Sequence, residues 1–499
     1  MEEEPGSPEM REAYPPAAYL RPRFILLLVF LALLVILIGV VQRLGLRSAE
    51  GPPVQEAALA GDISMKLSYA YRRWESSLAA DRRQKQRIEE LQEDYRQSAI
   101  AQYRRAVAEN RSPGNLRRLI IIQRPSERAA VIGQLGKVGA RRMDASGRDL
   151  AAEVAMWRDI YVSRRTLQHA QVDEYASRIR RLGLGWYERL ALADLFERAG
   201  MTAAAKGERA AAAQSASRTV VCFVSLLVAL GLLGLVGAAI VIWYVARRAG
   251  RGTRAAVQIP SEFIRELRAG LLLEAFVVYL AIVVGTQVAA AVVVAAGMGL
   301  RGEISPVGEV FITAGIYALA GVLAMVYLAY RLRSVGWPWE AVGLTTRNPF
   351  GDILWGIGGY AAALPLLLIA GALSQLVGRY VQSPTNPVIP LFAETETFLG
   401  RAVLFALVGL AAPFFEELFF RGVLFNSFRA KWSVAAGIML SAAVFASVHP
   451  LPVGFLPIFV LGSVFAILLY ERGSLLSSMV AHGLNNSVAF ALLLILTGK

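Results

Sequence analysis

Residues 413–422 read Pro413-Phe414-Phe415-Glu416-Glu417-Leu418-Phe419-Phe420-Arg421-Gly422, two carboxylates and a guanidinium inside very apolar sequence. A charge buried without a partner is costly, and ionisable groups inside membrane helices are rare and functional by default. Two further segments share the anomaly: Phe445-Ala446-Ser447-Val448-His449-Pro450 and His482-Gly483-Leu484-Asn485-Asn486. The chain holds 3 histidines in 499 residues, and two of them fall here. No aspartate follows Asp352. The polar groups of the last quarter are therefore concentrated in three places, and together they suggest one shared site.

Helical spacing assigns provisional roles. Glu417 and Arg421 stand four residues apart on one helix face, where each can hold the other charged. Glu416 is turned about 100° from Glu417, which frees it for chemistry. His449 can share a water with Glu416. His482 and Asn486 are again four apart, and an imidazole and an amide on one face suit stabilisation of a developing oxyanion. Structural alternatives exist for each group: an ion pair holding helices, a histidine marking a helix end, amides gluing neighbours by hydrogen bonds. The three segments occurring together favour the functional reading.

Outward from this site the chain is apolar back to Val220. Spans are expected near 220–246, 271–295, 310–330, 354–377, 402–428, 433–449, 454–470 and 474–496, preceded by an anchor within 24–43. That makes an all-α polytopic membrane bundle of about nine spans. Membrane helices over 220–394 lead into 395–496, the stretch that carries all three polar segments. A hydrophobic fraction of 56% and a mean hydropathy of +0.47 agree with an integral membrane protein. The net charge of +14 is first explained by topology. Arg247, Arg248, Arg251, Arg254, Arg331, Arg333, Arg429 and Lys431 all fall on the cytosolic side if the amino terminus is cytosolic. No nucleic-acid recognition motif accompanies the charge, so nucleic acid is not expected as a partner.

Two regions differ in kind. Residues 1–23 are rich in Pro and Glu and are expected to form a disordered cytosolic tail. Residues 48–218 are charged and Ala-rich, and are expected to form a helical extracytoplasmic domain between the first and second spans. Within it, 71–109 reads as one long helix stopped by Ser112-Pro113-Gly114. Residues 186–200 and 203–213 read as a helix pair like a single tetratricopeptide unit, with no clear repeat. His169 has no ligand-spaced companion. The single cysteine, Cys222, excludes intramolecular disulfides and cysteine metal clusters.

The ordered set Glu416-Glu417-x-x-x-Arg421, Phe445-x-x-x-His449 and His482-x-x-x-Asn486 resembles the CPBP (CAAX protease and bacteriocin-processing) family. This family of intramembrane proteases includes the eukaryotic CAAX prenyl endopeptidase and bacterial lysostaphin-resistance-like proteins. The resemblance covers about a fifth of the chain and is silent on residues 48–218. It implies hydrolysis of a peptide bond in or beside the membrane. Glu416 and His449 would activate water, His482 and Asn486 would hold the oxyanion, and Arg421 and Phe445 would support them. The family is often labelled a metalloprotease, and Glu416, His449 and His482 are the residues that would bind zinc. No His-Glu-x-x-His occurs, and a glutamate-activated water accounts for the same residues, so a metal-free site is favoured. The resemblance and the span pattern together imply a bacterial inner-membrane protein acting on a membrane-associated protein or peptide, with residues 48–218 free to bind a protein partner. Rival readings are a catalytically silent scaffold or immunity factor, and a transporter with a proton-relaying Glu/His pair. The transporter reading predicts inverted repeats, and none are found.

Overall fold

A computed structural model describes residues 17–48, 53–78, 82–109, 111–140, 145–163, 165–250, 262–301, 306–345, 348–378, 380, 388–395, 397–449 and 451–497. Every long regular element among them is helical. The chain divides into two compact units, one of Met1–Ser48 with Ala229–Phe490, the other of Ala49–Val228 with Ala491–Lys499.

The first unit is the apolar one. It contains α1 (Ala17–Ser48), most of the apolar half of α9 (Thr202–Gly250), α10 (Glu262–Arg301), α11 (Pro306–Ser334), α12 (Pro349–Gly378) and a short α13 (Val388–Glu394). Then come α14 (Phe398–Lys431), α15 (Val434–Ser447), α16 (Phe455–Arg472) and α17 (Leu475–Thr497). Seven described helices are long and apolar enough to cross a membrane, and the apolar helices Pro22–Ile38 and Val434–Ser447 are shorter. The nine apolar stretches of the sequence thus each coincide with a helix, seven of them of spanning length. The chain is an integral membrane protein.

Aromatic packing sets the centre of this bundle. Phe276, Phe419 and Phe425 are fully buried, and Tyr279 of α10 stacks on Phe419 at 4.1 Å between ring centroids. Rings of this size dominate core energetics, and offset stacking adds to the area they bury. The first helix is docked rather than free. Phe24, Leu31 and Ile38, seven residues apart, are its buried positions, and such spacing makes one seam along a helix. At its start, Arg23 Nη2 meets Glu274 of α10 at 2.5 Å. Glu274 also accepts from Tyr327 at 2.7 Å and from Arg331 at 3.2 Å, both on α11. One carboxylate thus fastens three helices.

The sequence placed residues 1–23 in a disordered tail. The helix instead begins at Ala17 and contains Pro22, and residues 1–16 lie outside the described set. Proline forfeits a single backbone hydrogen bond near a helix start, which the buried seam behind it offsets.

The second unit is built from α2 (Pro53–Leu78), α3 (Arg82–Glu109), α4 (Pro113–Ile122), α5 (Pro125–Ala140), α6 (Ala145–Tyr161), α7 (His169–Arg181), α8 (Trp186–Arg198) and the start of α9. The single helix read over 71–109 is two helices folded on each other. Tyr71 stacks on Tyr95; Ser68 Oγ donates to the Gln92 carbonyl, Ser64 meets Ser98 and Asp62 meets Tyr103, and these last three contacts run in falling against rising numbers, which marks an antiparallel pair. The fold-back hides the Ala99, Ile100, Tyr103 and Ala106 face of α3, which a lone helix would leave in water. Burial pushes the Tyr103 phenol well up, and it donates to Asp62.

Glu153 is buried yet satisfied, accepting from Arg117 Nε at 2.8 Å, Arg117 Nη2 at 2.6 Å and Trp157 Nε1 at 2.8 Å. Buried charges persist on those terms. Trp186 donates to the Ala212 carbonyl at 3.0 Å, tying α8 to α9. His169 is exposed at the start of α7. The sequence separated 203–213 from a span beginning at 220. The two are one helix, because Arg218 is the only charged residue from Ala210 to Ala246 and no Pro or paired Gly interrupts it.

Candidate active site

The acid pair lies on the least regular of the described helices. α14 is α-helical over Phe398–Phe405, π-wound over Ala406–Ala411, α-helical over Ala412–Glu416, π-wound over Glu417–Phe425 and α-helical again to Lys431. π-segments are rare and concentrate at functional sites. Pro413 supplies a cause for the first. It has no N–H to offer the carbonyl of Gly409, four residues back, so the ladder is already broken there.

α17 comes close enough to use this irregularity. A Cβ on Gly483 would stand 3.0 Å from the Gly409 carbonyl oxygen, so only glycine fits that approach without displacement. One turn later, Asn486 Nδ2 donates to the Val408 carbonyl at 2.7 Å, and Asn486 Oδ1 accepts from Asn485 at 3.2 Å. The amide has two N–H groups, so one remains for a ligand.

Glu417 is the hub. It is 0% exposed, and its Oε1 accepts from Arg421 Nη1 at 3.0 Å and faces His482 Nδ1 at 2.8 Å. With Arg421 on the same oxygen the carboxylate acts as an acceptor, so Nδ1 of His482 carries the proton. Arg421, 1% exposed, also lies over the ring of Phe445 at 4.1 Å and of Phe465 at 5.2 Å. Those π faces supply attraction that water supplies elsewhere. Room for the guanidinium comes from Gly462, where a Cβ would press Arg421 Nη2 at 3.1 Å. Phe465 stacks on His482 at 5.0 Å, fixing the ring plane.

Glu416 turns away from this pair. Its carboxylate is 17% exposed, Oε2 stands 3.8 Å from His482 Nε2, and Oε1 accepts from the Tyr317 hydroxyl at 3.2 Å. His482 therefore touches Glu417 through one nitrogen and faces Glu416 through the other. His449 sits just past the end of α15, with Nδ1 2.7 Å from the Phe445 carbonyl. A carbonyl only accepts, so Nδ1 is the donor and neutral His449 presents Nε2 as a lone pair. Its ring packs edge-on against Phe445 at 4.8 Å.

The residues singled out by sequence are thus gathered in one bundle. Glu416, Glu417, Arg421, Phe445 and His482 form a continuous contact set. His449 joins it through Phe445, and Asn486 reaches the helix of the acids through Val408. Among the described residues no three His, Cys, Asp or Glu side chains converge so as to hold a metal ion. Glu417 Oε1 and His482 Nδ1 are committed to each other, which leaves Glu416, His449 and the far nitrogen of His482 as donors. These do not fit a three-ligand centre as arranged.

Sequence reasoning missed Tyr317, Phe465 and the Val408 carbonyl. Tyr317 stands on α11, about a hundred residues before the acids, in an unremarkable apolar helix. A backbone acceptor freed by π winding carries no sequence signal beyond Pro413. A cavity of about 270 Å³ opens beside Tyr317 and Phe415, walled also by Tyr279, Thr286, Gln287 and Gly321 among others.

No curated protein and no solved structure matches the chain. Residues 398–488, which hold all seven residues singled out by sequence, match the family described as type II CAAX prenyl endopeptidase Rce1-like, in agreement with the resemblance read from their motifs.

Proposed function

We propose that the chain is an intramembrane endopeptidase that hydrolyses a peptide bond in or next to the bilayer. The observation that carries this reading is His482 set between two carboxylates, one buried and committed to Arg421 and one left partly exposed, inside an apolar bundle. An ion pair serving stability alone would need neither Glu416 nor the second histidine.

In this mechanism Glu416 takes a proton from a water molecule. The resulting hydroxide adds to the scissile carbonyl, and Glu416 returns the proton to the leaving amine. His449, with its Nε2 lone pair outward, accepts from the same water. The second N–H of Asn486 donates to the developing oxyanion. His482 does so through Nε2 in its imidazolium form, since its Nδ1–H stays on Glu417. Glu417 and Arg421 orient that ring. No step is routed through a metal.

The substrate class is a membrane-associated protein or peptide, and the membrane is a bacterial inner membrane with the amino terminus cytosolic. Residues 48–218 then lie outside the cytosol, where they recruit a protein partner. The test compares protein termini in cells making the wild-type chain or Glu416→Gln at matched abundance. New termini near membrane segments, found with wild type alone, support proteolysis and name the substrates. Identical termini with both forms folded would refute it in favour of a silent scaffold.

A further inference from the structure

We infer that Tyr317 is a positioning residue for Glu416, fixing which carboxylate oxygen faces the reaction; this rests on the protease reading above. Its helix, α11, lies outside the segment that matches the family.

The geometry has three parts. The hydroxyl of Tyr317 donates to Glu416 Oε1 at 3.2 Å, so that oxygen is occupied and Oε2 is the one turned toward His482. The ring of Tyr317 packs edge-on against Phe415 at 6.3 Å, and it forms part of the wall of the 270 Å³ cavity. Phe415 is in turn fixed by Gly321, one turn along α11 from Tyr317, where any Cβ would stand 2.7 Å from the Phe415 ring. Tyrosine, ring partner and carboxylate thus form a short rigid chain from α11 to the acid.

An unrestrained glutamate has three side-chain torsions, and a general base must be aimed to within a fraction of an ångström. Glu417 has Arg421 and His482 to restrain it. Glu416 meets His482 only at 3.8 Å, beyond hydrogen-bond reach, so among the described residues the phenol supplies the one hydrogen bond to its carboxylate.

The experiment uses the full chain in proteoliposomes. The probe is a fluorogenic peptide spanning a cleavage site found by the terminus comparison. Wild type, Glu416→Gln, Tyr317→Phe and Tyr330→Phe are compared. Tyr330, also on α11, is 65% exposed and serves as control for loss of a phenol from that helix. Tyr317→Phe keeps the ring and removes only the hydroxyl. A kcat about tenfold lower with KM within about twofold of wild type is expected, the scale of one hydrogen bond to a charged group. Unchanged kcat overturns the inference. So does a raised KM with unchanged kcat, which would make Tyr317 a cavity wall and nothing more. If wild type cuts no faster than Glu416→Gln, the protease reading itself fails and takes the inference with it.

Discussion

Removing Arg421 should be far more damaging than removing it together with its partner. Arg421 and Glu417 are 1% and 0% exposed, joined at 3.0 Å, with the guanidinium lying over Phe445 and Phe465. Taking one member from a buried pair strands the other, at a cost of roughly 3–5 kcal/mol. Here His482 also donates to Glu417 Oε1, which lowers the stranding cost, while loss of the cation–π contacts adds about 1–2 kcal/mol. Arg421→Met should therefore lose about 3–4 kcal/mol. Glu417→Gln alone should lose about 2–3 kcal/mol, since Arg421 then keeps its aromatic faces and a weaker amide acceptor. The double variant should lie within roughly 1–2 kcal/mol of wild type, a coupling of at least about 3 kcal/mol. Reversible unfolding in mixed detergent micelles, monitored by tryptophan fluorescence, measures all four forms. Additive losses, with coupling under about 0.5 kcal/mol, would refute the view that the pair sustains itself in an apolar setting. The double variant should in any case cleave more slowly, because His482 Nδ1 is left with a neutral amide acceptor in place of the carboxylate.

Two other outcomes follow from the site. Gly321→Ala drives a methyl into Phe415, next to Glu416, so stability should drop by about 1–3 kcal/mol and cleavage should fall severalfold; matched melting and cleavage would show that the ring moves freely. Exhaustive chelation should leave peptide cleavage unchanged, and a loss restored by added zinc would make Glu416, His449 and His482 the ligand candidates to test by substitution.

The fold was legible where physics is one-dimensional. A bilayer demands about twenty apolar residues per span, so each apolar stretch from Phe24 to Leu494 is an α-helix. Pairing of Glu417 with Arg421 was equally plain, being a spacing on a single helix. What escaped depends on contacts between distant segments. That 71–109 holds two helices, one ending at Leu78 and the next starting at Arg82, rests on Tyr71 meeting Tyr95, a choice between burying a face and exposing it that helix propensity does not register. Continuity of Thr202–Gly250 escaped because polar and apolar compositions favour the same helix, and a change of solvent was mistaken for a change of element. Asn486 was assigned to an oxyanion alone; its bond to Val408 exists because the opposite helix is π-wound there.

That winding has a genetic consequence. A π-turn is an α-helix carrying one extra residue, and α14 carries such turns on both sides of Glu416. Deleting one residue from 406–411 would remove the extra residue and restore an ordinary helix with both flanks near their present register. The same loss from the regular turn at 412–416 would swing one flank by about 100° relative to the other and re-aim the acid pair. Single-residue deletion scanning of 398–431 should therefore be tolerated better within 406–411 than within 412–416, and equal loss of cleavage at both would refute the reasoning.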